Sequence, residues 1–203
     1  MRKVTRAVAF GGEWTRERAT KVAALFDSMA ATWSADHDDA ERYAPLDDAY
    51  DRGDVPAGRC LELGSGTGLG TRTLAERHQG SDIALDLAAD MLRHAPAEYG
   101  PRVQADAAAL PVADRGVDVV VLVNALLFPL EVDRVLAPEG AVVWINTVGD
   151  QTPIHLPADD VVAALPGEWH GVASRAGTGT WAVVRRAESL SAGTPPTAPG
   201  HPG

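Results

Sequence analysis

The chain has 203 residues, 45% of them hydrophobic and 23% charged, which suits one domain with a full core, or one domain plus a small cap. Acidic residues outnumber basic ones 28 to 18, and the net charge of −10 excludes an extended nucleic-acid surface, which needs clustered Lys and Arg. Cys60 stands alone, so an intrachain disulfide and a thiolate metal cluster are excluded, and no metal site is expected.

The N-terminus, Met1 to Phe10, is basic but has no apolar run of signal-peptide length, and no stretch approaches the roughly 20 apolar residues of a membrane span. A cytoplasmic location without membrane contact is expected. Residues 15–34 read as one amphipathic helix, with Val22, Leu25, Phe26, Met29 and Trp33 on its apolar face. The run Asp36-His37-Asp38-Asp39 reads as a solvated loop, and a second helical piece spans Pro45 to Tyr50, with Pro45 in its first turn. Gly53 and Val55-Pro56-Ala57-Gly58 then punctuate the entry to a second region. Residues 1–54 are thus expected to form a helical cap or lid, in which Trp33 and Tyr43 line a cleft or pack as core.

From there strand and helix patterns alternate. Strands are predicted at 59–63, 82–86, 102–105, 117–123 and 140–147, and helices near 68–78, 89–95, 130–136 and 157–165. Val117 to Val123 is apolar almost throughout, as in a strand covered on both faces. The fold class is therefore α/β, a doubly wound, Rossmann-like, mostly parallel sheet over residues 55–188. Trp169 to Ala176 and Gly179 to Arg186 break the rhythm and read as an antiparallel hairpin, which brings the strands to seven. Residues 189–203 are rich in Pro, Gly, Ala and Thr, a composition expected to be disordered.

The most informative segment is Cys60-Leu-Glu62-Leu-Gly64-Ser65-Gly66-Thr-Gly68. Glycines at a strand-to-helix turn allow a sharp bend and let a ligand lie on the main chain. A dinucleotide fingerprint would place its third glycine at Leu69, and the acid ahead of the loop suits a positively charged ligand better than a pyrophosphate. Asp86 ends the second strand, twenty residues after Gly66, where an acid can accept from both hydroxyls of a ribose or cap the next helix. Leu87-Ala-Ala-Asp-Met91-Leu follows it, Asp106-Ala107 follows the third strand, and Asn124 follows the fourth.

Together with Glu131-Val-Asp-Arg134-Val-Leu136-Ala-Pro138, these segments resemble the motifs of the class I S-adenosylmethionine-dependent methyltransferases, and are most similar to the ubiquinone/menaquinone-type small-molecule enzymes. Residues 55–186 carry the resemblance. It implies S-adenosyl-L-methionine as cofactor and S-adenosyl-L-homocysteine as product. The implied cofactor residues are Glu62, Gly64, Ser65, Gly66, Gly68, Asp86, Leu87, Met91, Asp106, Ala107 and Asn124, with Asp106 accepting from the adenine amine and Asn124 facing the methionine moiety. Asp106 can also be read as a cap for the turn that follows it. The function implied is methyl transfer to O, N or C of a small organic acceptor by a monomer or homodimer. Two other readings stay open: a non-methylating or auxiliary protein on the same fold, and an NAD(P)-dependent reductase. His155, in the loop after the fifth strand, is the candidate general base, with Asp150 behind it. Arg134 reads as a structural or surface residue.

Overall fold

The computed structural model describes residues 1–78 and 82–187; the tail expected from residue 189 lies outside them. Seven strands form one sheet: β1 (Cys60–Leu63), β2 (Asp82–Asp86), β3 (Arg102–Gln104), β4 (Val117–Val123), β5 (Leu136–Asn146), β6 (Trp169–Ala176) and β7 (Gly179–Arg186). Their order is β3-β2-β1-β4-β5-β7-β6. The first five run parallel, and β7 returns antiparallel between β5 and β6. The order reverses at β1, so the ligand crevice of such a sheet lies at the carboxyl ends of β1 and β4. β1 and β4 are apolar because both faces are covered: Leu61, Val120 and Leu122 pack into one layer, and Cys60, Val119 and Val121 into the other. Burial pushes the Cys60 thiol well above the usual range, so it serves as a small core residue.

The helices after β1 follow the alternating pattern: α5 (Leu69–His78), α6 (Ala89–His94), α7 (Pro129–Val135) and α8 (Ala158–Ala164). The N-terminal region departs from expectation. It holds four helices, α1 (Arg2–Ala9), α2 (Arg16–Asp27), α3 (Ala30–His37) and α4 (Ala40–Arg52). The single helix expected over 15–34 breaks at Ser28, because Ser28 Oγ donates to the Leu25 carbonyl at 2.7 Å and the Met29 N–H turns to Phe26. α3 then runs on through Asp36 and His37, which leaves only Asp38 and Asp39 as connection. Asp39 caps α4 by accepting from the Glu41 N–H at 3.0 Å.

α4 belongs to the sheet and not to a cap. Leu46 and Ala49 are fully buried among strand residues of β4, β5 and β7. Pro45 lies inside this helix, not in its first turn. It has no N–H for the Glu41 carbonyl, and the hairpin turn lies against that site. A Cβ on Gly177 would stand 2.2 Å from Glu41 O, and one on Gly179 would stand 2.7 Å from the Pro45 ring. Gly177, at φ +49°, also supplies the left-handed conformation of the two-residue turn.

Candidate active site

A cavity of about 440 Å³ opens at the carboxyl ends of β1, β2 and β4. Every residue implied by the sequence as cofactor-binding lines it except Gly68. The added Cβ of Gly68 would meet Ala95, Pro96 and Tyr99 instead, so this glycine at φ +85° shapes the entry to α5 against the end of α6. Gly66 is the opposite case. At φ +56° its missing Cβ meets nothing nearer than Met91 Sδ at 4.0 Å, which leaves an open cradle over the main chain. Ser65 Oγ beside it is buried with no hydrogen-bond partner. Such an orphaned hydroxyl calls for a ligand group.

Asp86 organises the loop. Its carboxylate accepts from the Gly66 N–H at 2.8 Å and from the Ala88 N–H at 2.7 Å, so it braces the glycine turn and caps α6 together. A carboxylate offers about four lone-pair sites, which leaves room for further donors. Burial raises its pKa, while the backbone donors pull the other way. Glu62 is completely enclosed, with its carboxyl pushed up to about 8 by burial; the Thr71 hydroxyl, donating at 2.5 Å, opposes this, and Asp86 and Asp82 add to it. Gly70 makes room for that carboxyl, since a Cβ there would lie 2.6 Å from Glu62 Oε1.

Asp106 is already engaged. The Trp14 indole N–H is shared between its two oxygens at 2.9 and 3.1 Å, and the Ala108 N–H donates to Oδ1 at 2.9 Å. Asp106 therefore caps the following turn and also lines the cavity. Trp14 packs edge-on against Phe128, with ring centroids 5.2 Å apart. A lone tryptophan between Gly12 and α2 gives no periodic signal, and sequence reasoning missed it. Asn124, at φ +50°, lines the cavity, but its amide is committed: Nδ2 donates to Thr147 Oγ1 at 2.8 Å and Oδ1 accepts from the Thr147 N–H at 2.9 Å. It ties the ends of β4 and β5 together.

His155 is not on the cavity wall, and neither is Asp150. The loop after β5 presents Thr152, Pro153 and Ile154 to the cavity. The next residue turns toward α1 and α8, where burial first, and then Arg2, hold the His155 imidazole below its usual range. His37 lines the cavity instead, although its sequence context reads as a solvated loop. Its ring stacks on Trp33 with centroids 4.1 Å apart, and its Nδ1 lies 2.8 Å from the Trp33 carbonyl. A carbonyl only accepts, so Nδ1 carries the hydrogen and Nε2 is left as the acceptor in the neutral ring. Arg42 and Tyr43, from the start of α4, complete this end, and burial pushes the Tyr43 phenol up to about 12. The Arg42 guanidinium makes no ion pair with another described residue.

The N-terminal region roofs the cavity through polar ties to α6, the glycine loop and α5. The Asp90 N–H at the start of α6 donates to Asp27 Oδ1 at 2.7 Å, Ser34 Oγ donates to Thr67 Oγ1 at 2.8 Å, and Arg72 pairs with Asp38 at 2.9 Å. Phe26, Met29 and Trp33 close against Ala88 and Met91. Trp33 thus packs and lines the cavity at once.

Residues 60–140 match the family model of a methyltransferase domain. Over those residues the chain is similar to methyltransferase domains. A malonyl-[acyl-carrier protein] O-methyltransferase from Halorhodospira halophila is 38% identical over 128 aligned positions, which cover 50% of this chain and 43% of the relative. The chain therefore spans less than half of that relative's length. Among solved structures, the S-adenosylhomocysteine complex of DhpI superposes with a TM-score of 0.66 at 21% identity, covering 82% of this chain and 96% of that one. An S-adenosylmethionine-dependent methyltransferase from Thermotoga maritima gives 0.60 at 16% identity, over 80% and 97% of the two chains. These two likenesses establish the fold, with its mixed sheet and terminal hairpin. No helix among the described residues is long and apolar enough to cross a membrane.

Proposed function

We propose that this chain is a methyltransferase that moves the methyl group of S-adenosylmethionine to O, N or C of a small organic acceptor. The observation that carries the reading is the open cradle over Gly66, with the partnerless Ser65 hydroxyl beside it and the Asp86 carboxylate beneath. Bound there, the cofactor would supply an electrophilic methyl group on a sulfonium.

The chain's own residues divide the rest of the work. Asp86 would accept from ribose hydroxyls with its remaining lone pairs, and Asp106 Oδ2, which holds a single bond, would accept from an adenine amine. Glu62 favours a cation because a positive group beside it would draw its proton off. Arg42 would take the cofactor's carboxylate. Alignment of the two reactants in a water-poor cavity contributes on the order of 7–11 kcal/mol in the best intramolecular cases, so a strong base is not required. With Nδ1 on the Trp33 carbonyl, His37 Nε2 would receive a proton from an O–H or N–H nucleophile, in place of His155. The Halorhodospira relative is named for an O-methyl transfer, which favours oxygen among the three acceptor atoms.

The test is ligand-dependent melting. S-adenosylhomocysteine at a hundred times its Kd should stabilise the fold by about 2.7 kcal/mol, and NADH should leave the melting temperature unchanged. A response to NADH alone would return the reductase reading. Release of S-adenosylhomocysteine from S-adenosylmethionine in the presence of an acceptor separates an enzyme from an auxiliary cofactor-binding protein.

A further inference from the structure

We propose that β6 pairs with β6 of a second copy of this chain, joining two sheets edge to edge about a two-fold axis that passes Val172. None of the residues involved lines the cavity, so the inference is independent of the methyltransferase reading. The two edges of the sheet are unlike. β3 ends it on one side with three residues, whereas β6 ends it on the other with eight, and the outer edge of β6 pairs with no strand among the described residues. Such an edge is a template for another strand unless proline, lysine or a covering element blunts it. β6 has no proline, no lysine and a single formal charge, at Arg175. His170, Gly171, Val172 and Ala173 are all exposed, and Val172, at 51%, is one of the few large apolar side chains left in solvent.

The hydrogen-bond ladder fixes which groups are free. The Ala187 N–H donates to the Glu168 carbonyl at 2.9 Å, and the register runs on unbroken from Trp169 opposite Arg186 to Ala176 opposite Gly179. Bonded residues alternate in an antiparallel ladder, so His170, Val172, Ser174 and Ala176 turn their N–H and C=O groups to β7. Trp169, Gly171, Ala173 and Arg175 turn theirs outward. These outward residues are centred on Val172. A second β6 laid antiparallel about that point pairs Gly171 with Ala173 and Trp169 with Arg175, and every outward group is used. Moving the axis one residue either way leaves Trp169 or Arg175 without a partner in the strand. The side chains agree with the same register. Gly171 and Ala173 put little bulk between the backbones, and Arg175 meets a tryptophan and not another arginine. Val172 faces Val172 of the second copy in a pair without mutual backbone bonds, where side chains come closest.

The experiment measures the mass of the full chain by analytical ultracentrifugation over a concentration series, and then crosslinks it. The expected result is a reversible monomer–dimer equilibrium, weakened at least tenfold by Val172→Lys, which sets two ammonium groups against each other at a position already exposed to solvent. Val172→Cys should form an intermolecular disulfide under mild oxidation, because Cα atoms of such a facing pair lie about 4.5 Å apart, within disulfide reach. His170→Cys should not, since in this register it faces Ser174 of the second copy. The native Cys60 is buried and stays silent in both variants. A monomer at every concentration overturns the proposal. So does a dimer that Val172→Lys leaves intact, which would lie on another surface, or equal crosslinking of the two cysteine variants, which would mean a different register or random collision.

Discussion

Glu62 titrates in a direction opposite to that of most native carboxylates. Its pKa is raised, by burial first, to about 8, so between pH 4.5 and 8 the folded chain holds a proton that the unfolded chain has released. Its stabilisation is therefore complete below about pH 4.5 and declines as pH rises toward 8. Glu62→Gln keeps the shape and removes the titration. From pH 4 to pH 7 the wild type should lose about 3 kcal/mol relative to the Gln variant, measured by urea denaturation of both proteins. A gap that does not change with pH would mean that the folded protein carries an ionised Glu62. Burial raises the Asp86 pKa against the pull of its backbone donors, and because those donors belong to the glycine turn and α6, its removal affects the loop and the ligand together. Asp86→Ala should weaken S-adenosylhomocysteine binding by about 2–3 kcal/mol, the cost of deleting a charged acceptor. A change within twofold in calorimetry would reduce Asp86 to a brace for Gly66 and Ala88.

At the scale of elements, Arg134 of α7 fixes the loop that follows Asp106. Its guanidinium donates to both Glu131 oxygens at 2.8 and 2.7 Å, to the Val112 carbonyl at 2.8 Å and to the Leu110 carbonyl at 2.9 Å, while Glu131 accepts the Leu110 N–H at 2.7 Å. Arg134→Ala leaves these carbonyls without that donor and Glu131 with the Leu110 N–H alone, and should cost about 2–3 kcal/mol in denaturation experiments. Arg134→Lys should recover little, because a point charge cannot span the fork; full recovery by Lys would show that charge alone suffices. The sequence supports such a structural role, and it also supports the strands, because a parallel sheet buried on both faces demands runs such as Val117 to Val123. Motif residues at strand ends were legible for the same reason: the sheet places them. What was not legible depends on competition between near neighbours. The Ser28 hydroxyl diverts one carbonyl and splits a helix whose apolar spacing is unbroken. His37 and His155 differ in which way one turn of backbone faces, and Trp14 finds Asp106 across 92 residues. None of these leaves a periodic trace.

At the scale of the molecule, the N-terminal region divides into a roof and a piece of the core, and truncation distinguishes them. α4 buries Leu46 and Ala49 completely, Tyr43 almost completely, and Gly53 after it fits where any Cβ would stand 2.4 Å from Val183. The Trp181 indole N–H donates to Asp48 at 2.6 Å across the same seam. Deleting residues 1–50 therefore opens one face of β5 and β7, and large cavities of this kind cost several kcal/mol against a total stability of about 5–15 kcal/mol. α1 to α3 are different. Their polar contacts with the domain are the tie of Asp27 to α6, the Ser34–Thr67 bond, the Trp14–Asp106 bond and exposed ion pairs, and their apolar ones are Ala9 in the main core, Trp14 on Phe128, Trp33 beside α4 and a small cluster around Ala88 and Met91. We expect the chain without residues 1–37 to unfold in a single cooperative transition, to bind S-adenosylhomocysteine more weakly than the full chain, and to lose turnover, because the wall facing the cofactor loops is gone. The chain without residues 1–50 should show no cooperative transition at all. If the shorter deletion also fails to fold, α1 to α3 are core and not a lid; if it retains full turnover, the acceptor is held by the loops after β4 and β5 alone.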